Sequence, residues 1–456
     1  MNNTNKFSSK MGFIFAAAGS AVGVGNLWRF PYLAAKDGGG LFLLIYLILI
    51  LTVGLTLLTT DLAIGRKTGK SAIYAYEQMS KKWKFLGILT FIVPVIIMTY
   101  YAVIGGWILK YILLFLSPDI SNAAQDGFFT DFISSPNSVI PALIFMFITA
   151  VIVFNGVEKG IEKVSKIMMP ILLIMVAGIA IYSLTLSNGT RTGLEGLKIY
   201  LLPDFSGLTL SRFLKITLDA MSQLFFSLSV SMGIMITYGS YVDKNTNLNK
   251  SISLIEIMDT SVALLAGAMI IPTVYVFSGI EGMSAGPGLM FISLPKVFTA
   301  MGFSGRIIGL LFFILAGFAG LTSCISVLES IVANFMEVFK WNRKNTTTIL
   351  STIYLILTAI IALGYSIFYI EVPLPNGTTG QLLDIMDYIS NSFMMPFIAL
   401  LSSVLVGWIM KPQYIIDEME YGGYIFHRKK LYSIMIKYFV PVIMLILFLF
   451  STGILK

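Results

Sequence analysis

Apolar stretches of about twenty residues recur along the whole chain, and each is long enough to cross the hydrocarbon core of a bilayer as a helix. Backbone polar groups in lipid must be paired within the spanning structure, so continuous apolar runs of this length indicate helices. We count eleven such stretches, at roughly 11–34, 40–63, 86–116, 138–155, 164–186, 212–239, 256–280, 305–338, 347–369, 381–410 and 431–454. The sequence therefore predicts an all-α membrane protein with eleven transmembrane helices.

The composition agrees with this prediction. Hydrophobic residues make up 57% of the chain and charged residues only 12%, about half the charged fraction of a soluble domain. This excludes a water-soluble enzyme, a disordered chain and a secreted disulfide scaffold. Cys324 is the single cysteine and His427 the single histidine, which excludes an internal disulfide and histidine- or cysteine-rich metal sites.

The charged residues mark the two sides of the predicted membrane. Basic residues fill alternate loops, where they are Lys6, Lys10, Arg66, Lys67, Lys70, Lys81, Lys82, Lys84, Lys159, Lys163, Lys166, Lys340, Arg343, Lys344, Arg428, Lys429 and Lys430. The opposite loops carry acidic residues, namely Asp119, Asp126, Asp131, Glu281 and Glu371. The positive-inside rule predicts an inner-membrane protein with a cytoplasmic N-terminus and, after eleven spans, an external C-terminus. The net charge of +8 is thereby explained by topology, and no nucleic-acid partner is expected.

Two of the predicted spans contain helix-breaking sequences at mid-membrane depth. Span 1 contains GSAVGVGNLWRFP at 19–31, and span 6 contains FFSLSVSMG at 225–233. A pair of interrupted spans, one in each half, is typical of inverted-repeat transporters with a midplane site. The alternative is a small-residue packing face, since Gly19 and Gly23 have GxxxG spacing, but Asn26 and Arg29 in the same span favour the break. We predict one transporter domain over 1–456, with repeats at about 11–186 and 212–410 and an extra helix at 431–454.

The string GSAVGVGNLWRFPYLAAKDGGG at 19–40 resembles the first-span signature of the neurotransmitter:sodium symporter family. Motifs in spans 3, 6, 8 and 10 extend the resemblance from about residue 6 to the end of the chain. The eleven spans match a bacterial branch of this family that transports amino acids such as leucine and tyrosine. The resemblance implies a five-plus-five inverted repeat with broken helices 1 and 6, and symport of sodium with an amino acid by alternating access.

The resemblance implies two sodium sites. The first takes the Ala21 carbonyl, the Asn26 side chain, Ser227 and a residue of span 7, which here is Asp259 where much of the family has asparagine. An acidic residue inside a span is costly and usually functional, although a hydrogen-bonded structural aspartate is the alternative. Chloride-dependent members place an anion beside this site. We expect Asp259 to supply that negative charge, which makes transport chloride-independent.

The second sodium site, again by resemblance, uses backbone carbonyls and two hydroxyl groups. Its members are Gly19, Val22, Ala319, Thr322 and Ser323. The three residues of span 8 share one helix face, because they lie at positions i, i+3 and i+4. The alternative is that these hydroxyls bond to carbonyls of their own helix, as serine and threonine usually do in membrane helices.

The implied substrate pocket combines residues of spans 1, 3, 6 and 8. They are Val24, Gly25, Ile97, Tyr101, Phe226, Ser227, Ser229, Met232, Ser323 and Val327. Gly23 replaces the aspartate with which monoamine transporters of the family pair the substrate amine, so the space is free for a carboxylate and an α-amino acid is favoured. Met232 stands where a leucine-transporting member has phenylalanine, and Ser231 replaces a glycine. A flexible methionine leaves room for a large side chain, so we predict tyrosine first and branched aliphatic amino acids second.

Two gates are implied by the same resemblance. Arg29 and Asp387 match the outer charged pair, with Phe226 as an aromatic lid, and a static structural ion pair is the alternative. The inner gate departs from the family pattern, because Thr4 and Phe7 replace the usual arginine and tryptophan. Tyr241 matches its family position, Glu337 stands in place of the usual aspartate, and Lys6 could pair with Glu337 instead.

We therefore predict a sodium-coupled amino-acid symporter with two Na⁺ ions, a small-molecule substrate and the lipid bilayer as its partners. A membrane-embedded enzyme is disfavoured because His427 lies in a loop and Cys324 has no histidine partner in the sequence pattern. A channel is disfavoured because no repeated filter loop occurs. A sensor that binds substrate without transporting it remains an alternative.

Overall fold

The computed structural model describes residues 6–118, 120–283, 286–375 and 377–455; Thr4 and Asp119 lie outside these ranges. We number eighteen helices within them in chain order. They are α1 (Lys10–Ala21), α2 (Gly25–Lys36), α3 (Gly40–Thr68), α4 (Ala72–Met79), α5 (Lys81–Leu116), α6 (Phe128–Ser134), α7 (Pro136–Phe154), α8 (Val157–Leu184), α9 (Gly193–Leu201), α10 (Leu210–Leu228), α11 (Ile234–Ser240), α12 (Leu248–Ser278), α13 (Leu289–Ala300), α14 (Phe303–Phe339), α15 (Arg343–Tyr365), α16 (Leu382–Ile409), α17 (Gln413–Met419) and α18 (Lys429–Ser451). Strands β1 (Val372–Pro373) and β2 (Thr379–Gly380) pair in an antiparallel hairpin.

The helical membrane fold predicted from the sequence is confirmed. In the described ranges, nine helices are long and apolar enough to cross a membrane, and the pair α1 and α2, bent by 52°, makes ten. The count of eleven is not established, because the predicted span at 212–239 divides into α10 and α11. Arg212, Lys215 and Asp219 make the first part of α10 polar. The repeat boundaries at about 11–186 and 212–410 remain predictions.

The helices differ in how much of their surface other helices cover. In α3, 72% of the most apolar window is buried within the protein, against 28% in α18. The long helix α14 packs against α5, α7, α8 and α1, and its stretch from Ala319 to Asn334 is buried throughout. The centre of the bundle is therefore built around α3 and α14, whereas α18 lies at the periphery with an apolar surface suited to lipid.

The two ends of the bundle carry different charges. We call the end where α1 begins, with Lys10, Arg66 and Lys244, the basic end. There the buried Arg66 guanidinium Nε lies 2.7 Å from a carboxylate oxygen of Glu418, and Lys244 Nζ lies 2.9 Å from the same oxygen. We call the other end, where α2 ends at Lys36 and where Asp219 and Asp384 lie, the opposite end. The breaks in α1–α2 and α10–α11 lie between these two ends.

Candidate functional site

The first break separates α1 from α2 at residues 22–24. The Val22 N–H still donates to the Ala18 carbonyl at 2.7 Å, but the Gly23 N–H donates to the Asn26 side-chain oxygen at 3.2 Å. Asn26 thereby satisfies a backbone donor that the helix leaves unpaired. The helical hydrogen-bonding pattern of α1 therefore ends at this break.

The second break lies between α10 and α11. Ser229 and Ser231 have φ values of 53° and 61°, and Gly233 has φ of 77°. Left-handed backbone is costly for residues other than glycine and persists where the surroundings hold it, commonly at functional sites. The Ser231 N–H donates to an Asp61 carboxylate oxygen at 2.8 Å, and the Ser229 hydroxyl donates to the Ser20 carbonyl at 2.8 Å. The two breaks are therefore bonded to each other.

Three of the predicted first-site residues meet beside the breaks. The Asn26 amide donates to Asp259 Oδ1 at 2.9 Å, and the Ser227 hydroxyl lies 2.8 Å and 2.9 Å from the two Asp259 oxygens. All three side chains are fully buried, and the described residues supply Asp259 with no cationic partner. A buried carboxylate without a cation is strongly unfavourable, so this set of hard oxygen atoms fits a small cation such as sodium. Ala21, the fourth member, is the last residue of α1.

The second predicted site is assembled in part. The Ser323 hydroxyl lies 3.4 Å from the Gly19 carbonyl oxygen and 3.4 Å from that of Val22, so α14 faces the end of α1. The Thr322 hydroxyl instead bonds within α14, to the carbonyls of Phe318 at 2.9 Å and Ala319 at 3.2 Å. The same oxygen atoms suit a sodium ion if the Thr322 hydroxyl turns toward α1.

A small cavity of about 40 Å³ lies next to these oxygen atoms. Most of the predicted substrate residues line it, namely Ile97, Tyr101, Phe226, Ser229, Met232, Ser323 and Val327. The other three predicted residues, Val24, Gly25 and Ser227, do not line it. Sequence reasoning missed four lining residues, which are Ser20, Tyr100, Ile234 and Asn391.

Two glycines shape this cavity. A Cβ atom on Gly25 would lie 2.2 Å from Cδ1 of the Phe226 ring, so only glycine allows the ring to rest on α2. A Cβ atom on Gly23 would lie 3.2 Å from the Tyr101 hydroxyl and 3.4 Å from the Ser323 hydroxyl. The absence of a side chain at Gly23 thus leaves space beside these two hydroxyl groups.

A larger cavity of about 440 Å³ extends from this region toward the opposite end. Phe226, Tyr100 and Tyr101 line both cavities, so the Phe226 ring stands between them. The Arg29 guanidinium carbon lies 5.6 Å from the centre of this ring. The role of Phe226 as a lid remains a prediction.

The predicted outer pair lines the larger cavity without direct contact. Arg29 donates to the Ser222 hydroxyl at 2.6 Å, whereas Asp387 accepts from the Tyr100 hydroxyl at 3.0 Å and the Asn391 amide at 2.6 Å. A static Arg29–Asp387 ion pair, the alternative considered from the sequence, is absent from the described structure. Asn391 could have been found from the sequence, because it lies one helical turn after Asp387.

The predicted inner pair is not formed. Lys6 is exposed and makes no ion pair with Glu337, whose carboxylate accepts the Ser71 N–H at 3.2 Å. The Phe7 ring packs on Tyr238 and Tyr241, with centroids 5.6 Å and 6.2 Å apart. This packing covers the basic end with an aromatic contact in place of the expected salt bridge.

A different charged group binds Tyr241 at the basic end. The Tyr241 hydroxyl donates to Glu329 Oε1 at 2.6 Å, and the Arg343 guanidinium grips both Glu329 oxygens at 2.6 Å and 2.7 Å. Glu329 is fully buried. A glutamate in the middle of an apolar span is the sequence signal that marks this group.

Two further buried residues lie around the first site. The Tyr46 hydroxyl and both amide atoms of Gln223 are buried and have no hydrogen-bond partner among the described residues. Gln223 precedes Ser227 by one turn of α10. Gln223 could have been identified from the sequence, because it is a glutamine in an apolar stretch one turn before a predicted ligand.

In the described ranges, no cluster of three or more His, Cys, Asp or Glu side chains could hold a metal ion. The site around Asp259 is of another kind, with one carboxylate and neutral oxygen atoms, and such donor sets suit alkali ions in transporters.

Comparison with known proteins places this geometry among membrane transporters. The family model described as the sodium:neurotransmitter symporter family matches residues 4–126 and 129–456. The sodium-dependent transporter YhdH of Bacillus subtilis is 35% identical over 99% of this chain and 98% of its own length. A sodium-dependent transporter of Methanocaldococcus jannaschii is 32% identical over 88% of this chain and 81% of its own. The crystal structure of MhsT in complex with L-phenylalanine has a TM-score of 0.84 and 36% identity, covering 98% and 99% of the two chains.

Proposed function

The chain belongs to the sodium:neurotransmitter symporter family, and from this premise we propose that it is a symporter that couples sodium to the uptake of an aromatic α-amino acid. The family consists of transporters and not of enzymes, and its relatives here are sodium-dependent. Sodium dependence and a multi-span membrane location therefore hold for this chain. Our proposal adds the substrate, the two ion sites, the direction of transport and the independence from chloride.

The cluster of Asn26, Ser227 and Asp259 is the observation that carries the proposal. It joins α2, α10 and α12 at the point where both broken helices end, and it holds a buried negative charge. A sodium ion bound there neutralises Asp259 and links the two halves of the bundle. Because the carboxylate supplies the negative charge itself, no chloride ion is needed to offset the sodium.

We assign the second sodium ion to the end of α1 and the facing surface of α14. Gly19, Val22 and Ala319 would supply carbonyl oxygens, with hydroxyls from Thr322 and Ser323. The approach of Ser323 to the carbonyls of α1 supports this assignment. Bound there, the ion holds α1 against α14, and its release loosens that contact.

The substrate class follows from the two ends of the small cavity. Gly23 leaves space for a substrate carboxylate beside the Tyr101 and Ser323 hydroxyls, close to the first ion site. Ile97, Met232 and Val327 form an apolar wall for the side chain. MhsT was crystallised with L-phenylalanine, which supports an aromatic substrate. We propose tyrosine as the first choice and branched aliphatic amino acids as the second, with Met232 moving to admit the larger ring.

The transport cycle uses the two ends in turn. The basic end is proposed to face the cytoplasm of the cell, because basic loops stay on that side of the inner membrane. Sodium and substrate enter through the cavity of the opposite end, and Phe226 closes over them as Arg29 and Asp387 approach each other. The basic end then opens and releases the ions where sodium is scarce.

Uptake into proteoliposomes tests the proposal. We expect saturable accumulation of labelled tyrosine driven by an inward sodium gradient, none with potassium in place of sodium, and unchanged uptake when gluconate replaces chloride. Unlabelled aromatic amino acids should compete best. Preference for glycine or alanine would overturn the substrate assignment. Loss of uptake in the absence of chloride would overturn chloride independence. Sodium-dependent binding of substrate without uptake would identify a sensor.

A further inference from the structure

A groove of about 770 Å³ at the basic end takes no part in the transport site. It lies between α3, the first turns of α12, the segment after α17 and the start of α18. It is separate from the two cavities described above and shares no lining residue with them. A space of this size lies in the range of small-molecule sites, and its occupant can be inferred from its walls.

The inner wall of the groove is apolar and open to the bilayer. Leu51 of α3 and Leu254 of α12 form one side, and Ile425 and Leu431 form the other. These four side chains are exposed, Ile425 by 67% and Leu51 by 51%. Because they belong to or adjoin helices long enough to span a membrane, hydrocarbon chains are the material that covers them.

The mouth of the groove is cationic. The three basic residues Lys10, Lys250 and Arg428 line it together with His427, and all four side chains are exposed. The side chains of Lys10, Lys250 and His427 have no hydrogen-bond or ion-pair partner in the part of the chain that the structure describes. Arg428 has one weak partner, Glu256, with 4.0 Å between guanidinium nitrogen and carboxylate oxygen. No described Asp or Glu lines the groove.

We propose that this groove binds an anionic phospholipid, with its phosphate between Lys250 and Arg428 and its acyl chains along Leu51 and Leu254. Basic pockets between membrane helices at the polar boundary are suited to anionic lipid head groups. A free phosphate ion would use the cations but not the apolar wall, and an uncharged lipid would use the wall but not the cations. An anionic phospholipid uses both parts.

The proposed lipid connects α18 to α3 and α12, and α18 makes few contacts with these two helices. Within the groove, α18 touches α3 through the Tyr432 hydroxyl, which lies 2.9 Å from the Thr60 hydroxyl. A phospholipid held by Lys250 of α12 and Arg428 before α18 adds a second connection across the same gap. It therefore stabilises the peripheral helix α18 against the bundle.

Native mass spectrometry of the purified full-length protein tests the site. We compare retention of added phosphatidylglycerol and phosphatidylcholine by the unaltered protein and by the double variant Lys250→Gln/Arg428→Gln. The unaltered protein should retain phosphatidylglycerol preferentially. The double variant should lose roughly twenty-five-fold in affinity, because each cation removed lowers it about fivefold.

A matched control removes two other exposed cations from the same end, in the variant Lys159→Gln/Lys163→Gln, which should retain phosphatidylglycerol like the unaltered protein. The variant Lys10→Gln/Lys250→Gln leaves the Arg428–Glu256 contact intact. If Lys250→Gln/Arg428→Gln folds poorly, this second variant tests the proposal in its place and should also lose affinity for phosphatidylglycerol. Equal retention of the two lipids, or equal loss in groove and control variants, would contradict the proposal. Displacement of the lipid by millimolar inorganic phosphate would show a simple anion site and overturn it as well.

Discussion

The two ends of the bundle hold their charges in different ways. At the basic end, Glu329 is gripped directly by Arg343 and Tyr241, and the Phe7 ring covers Tyr238 and Tyr241. At the opposite end, the guanidinium of Arg29 and the carboxylate of Asp387 each bond to neighbours on their own side of a cavity of about 440 Å³. The basic end thus has buried ionic contacts, whereas Arg29 and Asp387 at the opposite end are not paired with each other.

This difference suggests which contacts must break and which must form during transport. The basic end opens only when buried, charge-assisted hydrogen bonds are lost, and such bonds are individually strong. In the proposed cycle, the opposite end closes when Arg29 and Asp387 form a pair that is absent from the described structure. Substitutions that remove contacts at the basic end should therefore favour opening of that end. Substitutions at the opposite end should prevent that end from closing.

The largest effect is expected from Glu329→Gln, which breaks the lock at the basic end. It leaves the Arg343 guanidinium without its carboxylate, and breaking a buried pair costs about 3–5 kcal/mol. We expect the basic end to open, uptake to be lost, and the reporter Ser326→Cys, placed in a Cys324→Ser background, to react much faster with a thiol reagent.

The matched control for this experiment is Glu337→Gln. Glu337 accepts only the Ser71 N–H in the described structure, so its loss should change the labelling rate of the reporter far less. Equal labelling in the two variants would show that the contact of Glu329 does not hold the basic end closed.

A smaller effect is expected from Arg29→Ala at the opposite end. The variant cannot form the charged pair that we propose closes the outer cavity. Hydrogen bonds to charged groups contribute about 1.5–3 kcal/mol, so we expect a tenfold to hundredfold loss of uptake. Thermal stability should change little, because the hydrogen bonds of the Arg29 guanidinium in the described structure go to Ser222, a neutral residue. A large fall in melting temperature together with normal uptake per folded molecule would instead indicate a structural role.

The smallest effect is expected from Lys36→Gln, also at the opposite end. Lys36 Nζ lies 3.0 Å from an Asp219 carboxylate oxygen, and both side chains are partly exposed. Exposed ion pairs contribute about 0–1 kcal/mol. Uptake and melting temperature should therefore stay close to those of the unaltered protein. A loss of uptake as large as that of Arg29→Ala would show that the effect of Arg29 on uptake is shared by other cations near the cavity.

Much of the fold was predictable because lipid imposes simple rules on sequence. Long apolar runs became helices, and the glycine-rich and serine-rich segments became the two breaks. Asp259 stood out because charges inside spans are rare, and the structure brings it to Asn26 and Ser227. The family was also predicted correctly, since its signature lies in these same unusual segments.

The polar contacts at the two ends were harder to predict. Lys6 and Glu337 were paired by motif position, but Phe7 packing and the Ser71 N–H decide where these groups lie. Arg29 bonds to Ser222, which is 193 residues away in sequence, and no local pattern marks such a partner. At the two ends of the bundle, tertiary packing decides which of several polar neighbours each charged group bonds to. A single charge buried at mid-membrane has few polar groups within reach, so its partners are easier to predict.

Sodium-dependent binding of labelled tyrosine to the purified protein, in chloride-free gluconate buffer, is the most direct test of the central claim that Asp259 provides the charge that binds sodium. The account predicts saturable binding in sodium and none in potassium, and a marked loss of sodium affinity in Asp259→Asn that added chloride restores in part. Binding that is unchanged in potassium, or a variant with unaltered sodium dependence in the absence of chloride, would contradict it.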